Sequence, residues 1–157
     1  RTGEKLEIPQ RNENNKTTII LVRHAEEFKN MDNPKLNEKG LARAEKLKEV
    51  LSDIKLDKVY STNYHRTQLT AHPTQFHHNL EMNYFNHARL ESVSKFLLEE
   101  DKGKTILVVG HTDTTYKLLN NLCGKEIVNS INDSDYENIY LLNFSQEEIP
   151  KIYLLKY

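Results

Sequence analysis

A short apolar run that ends in an arginine and a histidine constrains this chain more than any other feature. Residues 17–25 read Thr-Thr-Ile-Ile-Leu-Val-Arg-His-Ala, and four consecutive aliphatic residues are typical of a strand buried on both faces. Arg23 and His24 then follow at the carboxyl end of the strand, the edge where open α/β sheets bind ligands. A second such run, residues 105–110, is followed by His111. Two parallel strands of this kind would bring both imidazoles over one crevice.

The chemistry of these strand ends favours an oxyanion site. A single histidine after a strand is usually an ordinary loop residue, but here there are two, and an arginine stands directly before the first. The arginine side chain is always charged and presents a planar fork of donors that suits phosphate or carboxylate. We therefore predict a phosphate or carboxylate site at this edge.

The remaining pattern alternates between strands and helices. Strands are predicted near 17–23, 57–61, 80–85 and 105–110. Helices are predicted near 38–53, from Tyr64 to a turn at Pro73, from Leu90 to about Glu100, and near 114–122. Two similar segments, 139–142 and 152–155, predict a hairpin. The predicted fold is a three-layer α/β/α sandwich with a mainly parallel central sheet and a C-terminal edge hairpin.

Composition limits the classes of partner. The chain has 157 residues, and we expect a polar tail or tether over 1–16 and a single domain over 17–157. A net charge of −1 gives no global field toward nucleic acid or an acidic membrane, and no apolar stretch approaches the ~20 residues of a membrane span. Cys123 is the only cysteine and cannot form an internal disulfide. The sequence leaves the oligomeric state open. Because the chain starts at Arg1, both a cytoplasmic protein and one exported after removal of an upstream segment remain open.

Five segments, in order along the chain, resemble motifs of the histidine phosphatase superfamily, also called phosphoglycerate mutase-like, and its compact branch in particular. The segment 22–26 (Val-Arg-His-Ala-Glu) resembles the Arg-His-Gly signature, and 36–44 resembles the segment that opens the family's first helix. Residues 59–62 resemble its second strand, Arg66 with Thr70-Ala71 resembles its arginine-bearing helix, and Gly110-His111 resembles its second histidine motif.

The resemblance implies roles for particular residues. His24 would be the nucleophile that forms a covalent phosphohistidine, and Arg23, Arg66 and a protonated His111 would surround the phosphoryl oxygens. Asn30, six residues after His24, matches a position where the family often has an asparagine that can donate to phosphate. An ordinary turn at 30–34 is an equally good interpretation of that segment.

The chain departs from the family pattern in ways that bear on activity. Ala25 replaces a glycine, Thr112 follows His111 where many members have glycine, and the long insertion of the mutases is absent between Pro73 and Lys104, which argues against mutase activity. The acid that protonates the leaving group has no clear motif, so four candidates stay open: Glu26, Glu81, Asp113 and His87.

These patterns predict a phosphatase that acts without metal or cofactor on a phosphomonoester or phosphoramidate, carried by a small molecule or a phosphoprotein. The other histidines do not fall at metal-ligand spacing with cysteines or paired carboxylates. They are His65, His72, His77, His78 and His87. A non-catalytic phosphate-binding module on the same fold is the alternative.

Overall fold

The computed structural model describes residues 16–145 and 149–157. Six strands and four helices follow in the order β1 (Thr17–Arg23), α1 (Glu38–Val50), β2 (Lys58–Ser61), α2 (His65–His77), β3 (Met82–Tyr84), α3 (Leu90–Glu99), β4 (Thr105–Gly110), α4 (Thr112–Cys123), β5 (Asn138–Phe144) and β6 (Lys151–Lys156). The tail predicted over 1–16 lies outside the described residues, except for Lys16.

The strands form one sheet in the order β3-β2-β4-β1-β5-β6. The pairs β2–β3, β2–β4 and β1–β4 are parallel, whereas β5 runs antiparallel to β1 and forms a hairpin with β6 at the edge. The fold class predicted from the sequence is therefore confirmed, including the edge hairpin.

Alternate residues of β1 face opposite sides of the sheet. Ile19 and Leu21 pack with the α3 and α4 side chains Leu97, Leu118 and Leu119, and Ile20 and Val22 pack with Leu47, Val50 and Ala71 of α1 and α2. Both faces are covered, which explains why residues 19–22 of β1 are all apolar rather than alternating with polar residues.

The register of β1 and β4 sets the position of both predicted histidines. Arg23 is paired with Gly110, and the backbone N–H of His24 donates to the Gly110 carbonyl oxygen at 2.8 Å. Because the two strands run parallel and end level, His24 and His111 leave the sheet at the same edge.

The first turn of α1 packs against the backbone that follows His24. A Cβ atom built on Gly40 would lie 2.0 Å from the carbonyl oxygen of Glu26, so only glycine allows this approach. The side chain of Asn37 caps the same helix by accepting from the Gly40 N–H at 2.9 Å. The segment that leads away from His24 is thereby held against α1.

The predicted turn at Pro73 was wrong, since α2 continues through Pro73 to His77. Proline lacks the N–H that would bond to the preceding turn, and this normally costs ~3 kcal/mol or more in a helix interior. Thr70, Ala71 and Thr74 are all fully buried along the same stretch. We attribute the continuous helix to this packing, a tertiary effect that local propensity does not contain.

No helix within the described part of the chain is long and apolar enough to cross a membrane.

Candidate active site

His24 is held in one orientation at the carboxyl end of β1. It is only 4% exposed, and its Nδ1 lies 2.8 Å from the carbonyl oxygen of Ala25. A carbonyl oxygen can only accept, so Nδ1 carries the proton and Nε2 keeps its lone pair. Burial is the main cause that lowers the pKa of His24 to about 4, which leaves the ring neutral at pH 7.

The loop around His24 is anchored to α2. The N–H of Ala25 donates to Thr70 Oγ1 at 2.8 Å, and this hydroxyl donates to the Arg66 carbonyl oxygen at 2.7 Å. Both Ala25 and Thr70 are fully buried. The helix that carries Arg66 is thus fixed relative to the imidazole of His24.

His111 stands opposite, with its ring centroid 5.7 Å from that of His24. Its Nε2 lies 2.8 Å from Thr62 Oγ1, which is itself 2.8 Å from Thr67 Oγ1. Burial, followed by the charge of Arg66, lowers the pKa of His111 to about 4. This pKa leaves the ring neutral at pH 7, whereas the sequence analysis expects a protonated His111 in contact with the phosphoryl oxygens. Binding of a phosphate dianion would raise this pKa, because opposite charge favours the protonated ring.

The two predicted arginines line the same open cleft as the histidines. Arg23 is 8% exposed, and its Nη1 donates to the carbonyl oxygens of Asp133 and Asp135, at 2.6 and 3.2 Å. Its Nε is buried and has no hydrogen-bond partner among the described residues. Arg66 lies in the first turn of α2, as predicted, with its guanidinium carbon 4.9 Å from the centre of the Tyr64 ring.

Sequence reasoning missed Glu27 and Tyr136. Glu27 is 13% exposed at its side chain, and its Oε2 lies 3.5 Å from His24 Nε2. Tyr136, from the loop before β5, donates to Glu27 Oε1 at 2.8 Å, and its ring centre lies 3.9 Å from the Arg23 guanidinium carbon. Burial raises the pKa of Glu27, but hydrogen bonds from Lys29 and Tyr136 outweigh it and lower the pKa to about 2.

The adjacent pair Glu26-Glu27 places two carboxylates directly after His24, although strict alternation along an extended segment would put Glu26 rather than Glu27 on the side of His24. Tyr136 has no sequence signal of this kind, because it is more than a hundred residues away in the sequence.

The four predicted acid candidates occupy different places. Both carboxylate oxygens of Glu26 hold Arg43, at 2.8 and 3.0 Å, outside the cleft that contains His24. Glu81 precedes β3 and so lies at the amino edge of the sheet, away from the histidines. Asp113 lines the cleft from the first turn of α4, and the exposed His87 has its ring centroid 5.8 Å from that of His111. The structure therefore brings Asp113 and His87 to the site and keeps Glu26 and Glu81 apart from it.

Asn30 also lines the cleft, on a loop where its φ angle of 60° lies in the left-handed region. Asparagine tolerates this conformation better than most residues, so the segment is a turn and also faces the cleft. The two interpretations left open by the sequence are compatible.

Across the described residues, no group of three or more histidine, cysteine, aspartate or glutamate side chains is arranged to hold a metal ion. His77 and His78 each lie near a backbone carbonyl oxygen at the end of α1, of Ser52 and Leu51 respectively.

The fold and the cleft together define an α/β protein with two histidines and two arginines at the carboxyl edge of its sheet. The model of the histidine phosphatase superfamily (branch 1) matches residues 19–87. A search of curated proteins gave no significant match.

Solved structures of phosphatases share this fold. The alpha-ribazole phosphatase of Shigella flexneri superposes with a TM-score of 0.73 at 15% identity, over 89% of this chain and 96% of that one. The proposed phosphohistidine phosphatase SixA of Agrobacterium tumefaciens gives 0.70 at 19% identity, over 90% and 98%. The phosphoserine phosphatase of Entamoeba histolytica gives 0.69 at 15% identity, over 90% and 97%. The family match and the shared fold confirm the resemblance to the histidine phosphatase superfamily that the motifs predict.

Proposed function

We propose that this protein is a phosphatase that hydrolyses a phosphomonoester or phosphoramidate through a covalent phosphohistidine on His24. The observation that carries the proposal is the state of His24: a buried, neutral imidazole whose Nδ1 proton is held by the Ala25 carbonyl and whose Nε2 keeps its lone pair. A nucleophile of this kind requires no separate base.

In the first step, the Nε2 lone pair attacks phosphorus, and the bond to the leaving group breaks with its electron pair on the departing atom. Phosphorylation makes the ring of His24 cationic, because Nδ1 keeps its proton. The Ala25 carbonyl and the nearby Glu27 carboxylate would both stabilise that charge. In the second step, water attacks phosphorus and returns one proton to the acid that protonated the leaving group. The N–P bond breaks with its electron pair on Nε2, and hydrogen phosphate leaves the restored imidazole.

The cations around the cleft have the role of stabilising charge on the transferring phosphoryl group. Arg66, Arg23 and His111 line the same cleft as His24. Single donors of this type are worth ~10²- to 10³-fold in rate. With this charge supplied by side chains, we propose that turnover needs no metal ion. For the proton delivered to the leaving group, Asp113 and His87 are the candidates that the geometry supports.

The test is a comparison of wild type with His24→Ala and His24→Gln on 4-nitrophenyl phosphate, whose good leaving group needs little help from an acid. We expect both variants to lose turnover and to keep a wild-type circular dichroism spectrum. Acid-labile phosphate should be trapped on the wild-type protein alone after rapid quenching and should map to His24. Undiminished turnover in either variant would refute the nucleophile, and phosphate binding by wild type without turnover would favour the binding module.

A further inference from the structure

Four large apolar or aromatic side chains line the cleft together with its arginines and histidines. Phe28 and Met31 lie on the loop after β1, Tyr116 lies on α4, and Ile131 lies on the loop before β5. All four line the same cleft as His24 and Arg66. We refer to Phe28, Met31, Tyr116 and Ile131 as the apolar collar.

The exposure of Phe28 and Met31 is not the result of a loosely held loop. Phe28 is 52% exposed and Met31 58% exposed, although the loop is tied at both ends. The Phe28 N–H donates to the Lys35 carbonyl oxygen at 3.1 Å, and Asn33 Oδ1 accepts from the His65 N–H at 3.0 Å. The second bond joins the loop to the start of α2, where Arg66 is located.

The opposite wall of the collar is also fixed. Ile131 is partly buried and packs against the core cluster under α4, and Tyr116 is half-buried on α4 itself. Nearby, Asn120 holds the Val128 backbone by accepting from its N–H at 3.0 Å and donating to its carbonyl oxygen at 2.8 Å. Three segments, the loop after β1, α4 and the loop before β5, thus present apolar surface toward one cleft.

Large apolar side chains left exposed at a built site mark a surface that is covered when a ligand binds. The phosphoryl group of a substrate would occupy the charged part of the cleft, and its organic group would then extend to the collar. We propose that the apolar collar binds the organic group of the substrate, and that this site therefore selects phosphate compounds whose leaving group is apolar, aromatic or aliphatic. This inference rests on the proposed function.

The test uses two pairs of compounds that differ only in apolar length. One pair is 4-methylphenyl phosphate and 4-butylphenyl phosphate, whose phenols have nearly the same acidity. The other is the corresponding pair of benzylphosphonates, which cannot be hydrolysed. Complete burial of one methylene is worth about fourfold in affinity. We therefore expect each butyl compound to bind or react at least ~5-fold better than its methyl counterpart, and we call this ratio the gain.

The gain should appear in kcat/KM for the phosphates and in Kd for the phosphonates, measured by calorimetry. The double variant Phe28→Ala, Met31→Ala should reduce this gain below ~2-fold in both measurements. The matched control is Phe76→Ala, because Phe76 is 78% exposed on α2 and does not line the cleft. The control should keep the wild-type gain.

The two readouts separate this inference from the proposed function. Absent turnover with a retained gain in phosphonate affinity would refute the phosphatase and support the collar. Normal turnover with no gain from the butyl group, or with a gain that survives in the double variant, would overturn the collar and leave the phosphatase intact. Loss of the gain in Phe76→Ala as well would assign it to a general change in the fold and would also overturn the collar.

Discussion

Replacement of Arg66 by alanine or lysine tests the charged part of the site with little effect on the fold. No side-chain hydrogen bond or ion pair holds the guanidinium of Arg66 within the described residues, and its ring contact with Tyr64 spans 4.9 Å. A partly exposed contact of that kind contributes ~0.5–1 kcal/mol. For a chain of this size, its loss corresponds to a fall in Tm of roughly 1–4 °C.

The effect on catalysis should be much larger than the effect on stability. If Arg66 holds the transferring phosphoryl group more tightly in the transition state than in the ground state, Arg66→Ala should lower kcat/KM by ~10²- to 10³-fold. Arg66→Lys should recover little of this, because the lysine ammonium is a point charge without the planar fork. His111 gives a second readout: its pKa is lowered by burial first and by Arg66 next, so it should rise in Arg66→Ala.

The assay is steady-state hydrolysis of 4-nitrophenyl phosphate, with thermal unfolding of each variant and an NMR titration of His111. Arg89→Ala is the control, since Arg89 is an exposed arginine before α3. It should keep wild-type activity. Full activity in Arg66→Ala would refute the reasoning, as would complete rescue by lysine. A loss of activity matched by a large fall in Tm would mean that Arg66 acts through the fold.

Three further outcomes are expected. Gly40→Ala should unfold at a markedly lower Tm than Leu41→Ala, its neighbour on the exposed face of α1, because the added Cβ meets the Glu26 carbonyl oxygen at 2.0 Å; an equal Tm would contradict the close approach. Burial lowers the pKa of His24 to about 4, so between that value and the unfolded value near 6.5 the unfolded chain binds more protons. The free energy of unfolding should then fall as the pH falls through this window, by at most ~1.4 kcal/mol per pH unit for this group. Urea titrations at several pH values should show that the free energy of unfolding depends less on pH in His24→Gln than in wild type. Turnover should survive exhaustive chelation and be blocked by vanadate, which can adopt the trigonal-bipyramidal geometry of phosphoryl transfer; recovery of lost activity by added zinc or magnesium would contradict a metal-free site.

The sequence by itself determined the sheet and the place of the site within it. The apolar runs before His24 and His111 specify buried parallel strands, and strands of that type end at one edge whatever the surrounding loops do. The spacing from the second strand to Arg66 likewise fixes an arginine in the first turn of a helix at that edge. These are local patterns, so they can be recognised from the order of residues along the chain.

The tertiary structure decided which side chains contact one another and how they are oriented. It turned Glu26 toward Arg43 and Glu27 toward His24, a choice that depends on the direction of an extended segment rather than on residue type. It placed Tyr136 on Arg23, and it carried α2 through Pro73. It also fixed the tautomer of His24 by aiming one carbonyl oxygen at Nδ1. The ion pair of Glu26 with Arg43 and the contact of Tyr136 with Arg23 join segments that meet only after folding. The energies of all these contacts depend on burial and orientation, which a sequence alone does not specify.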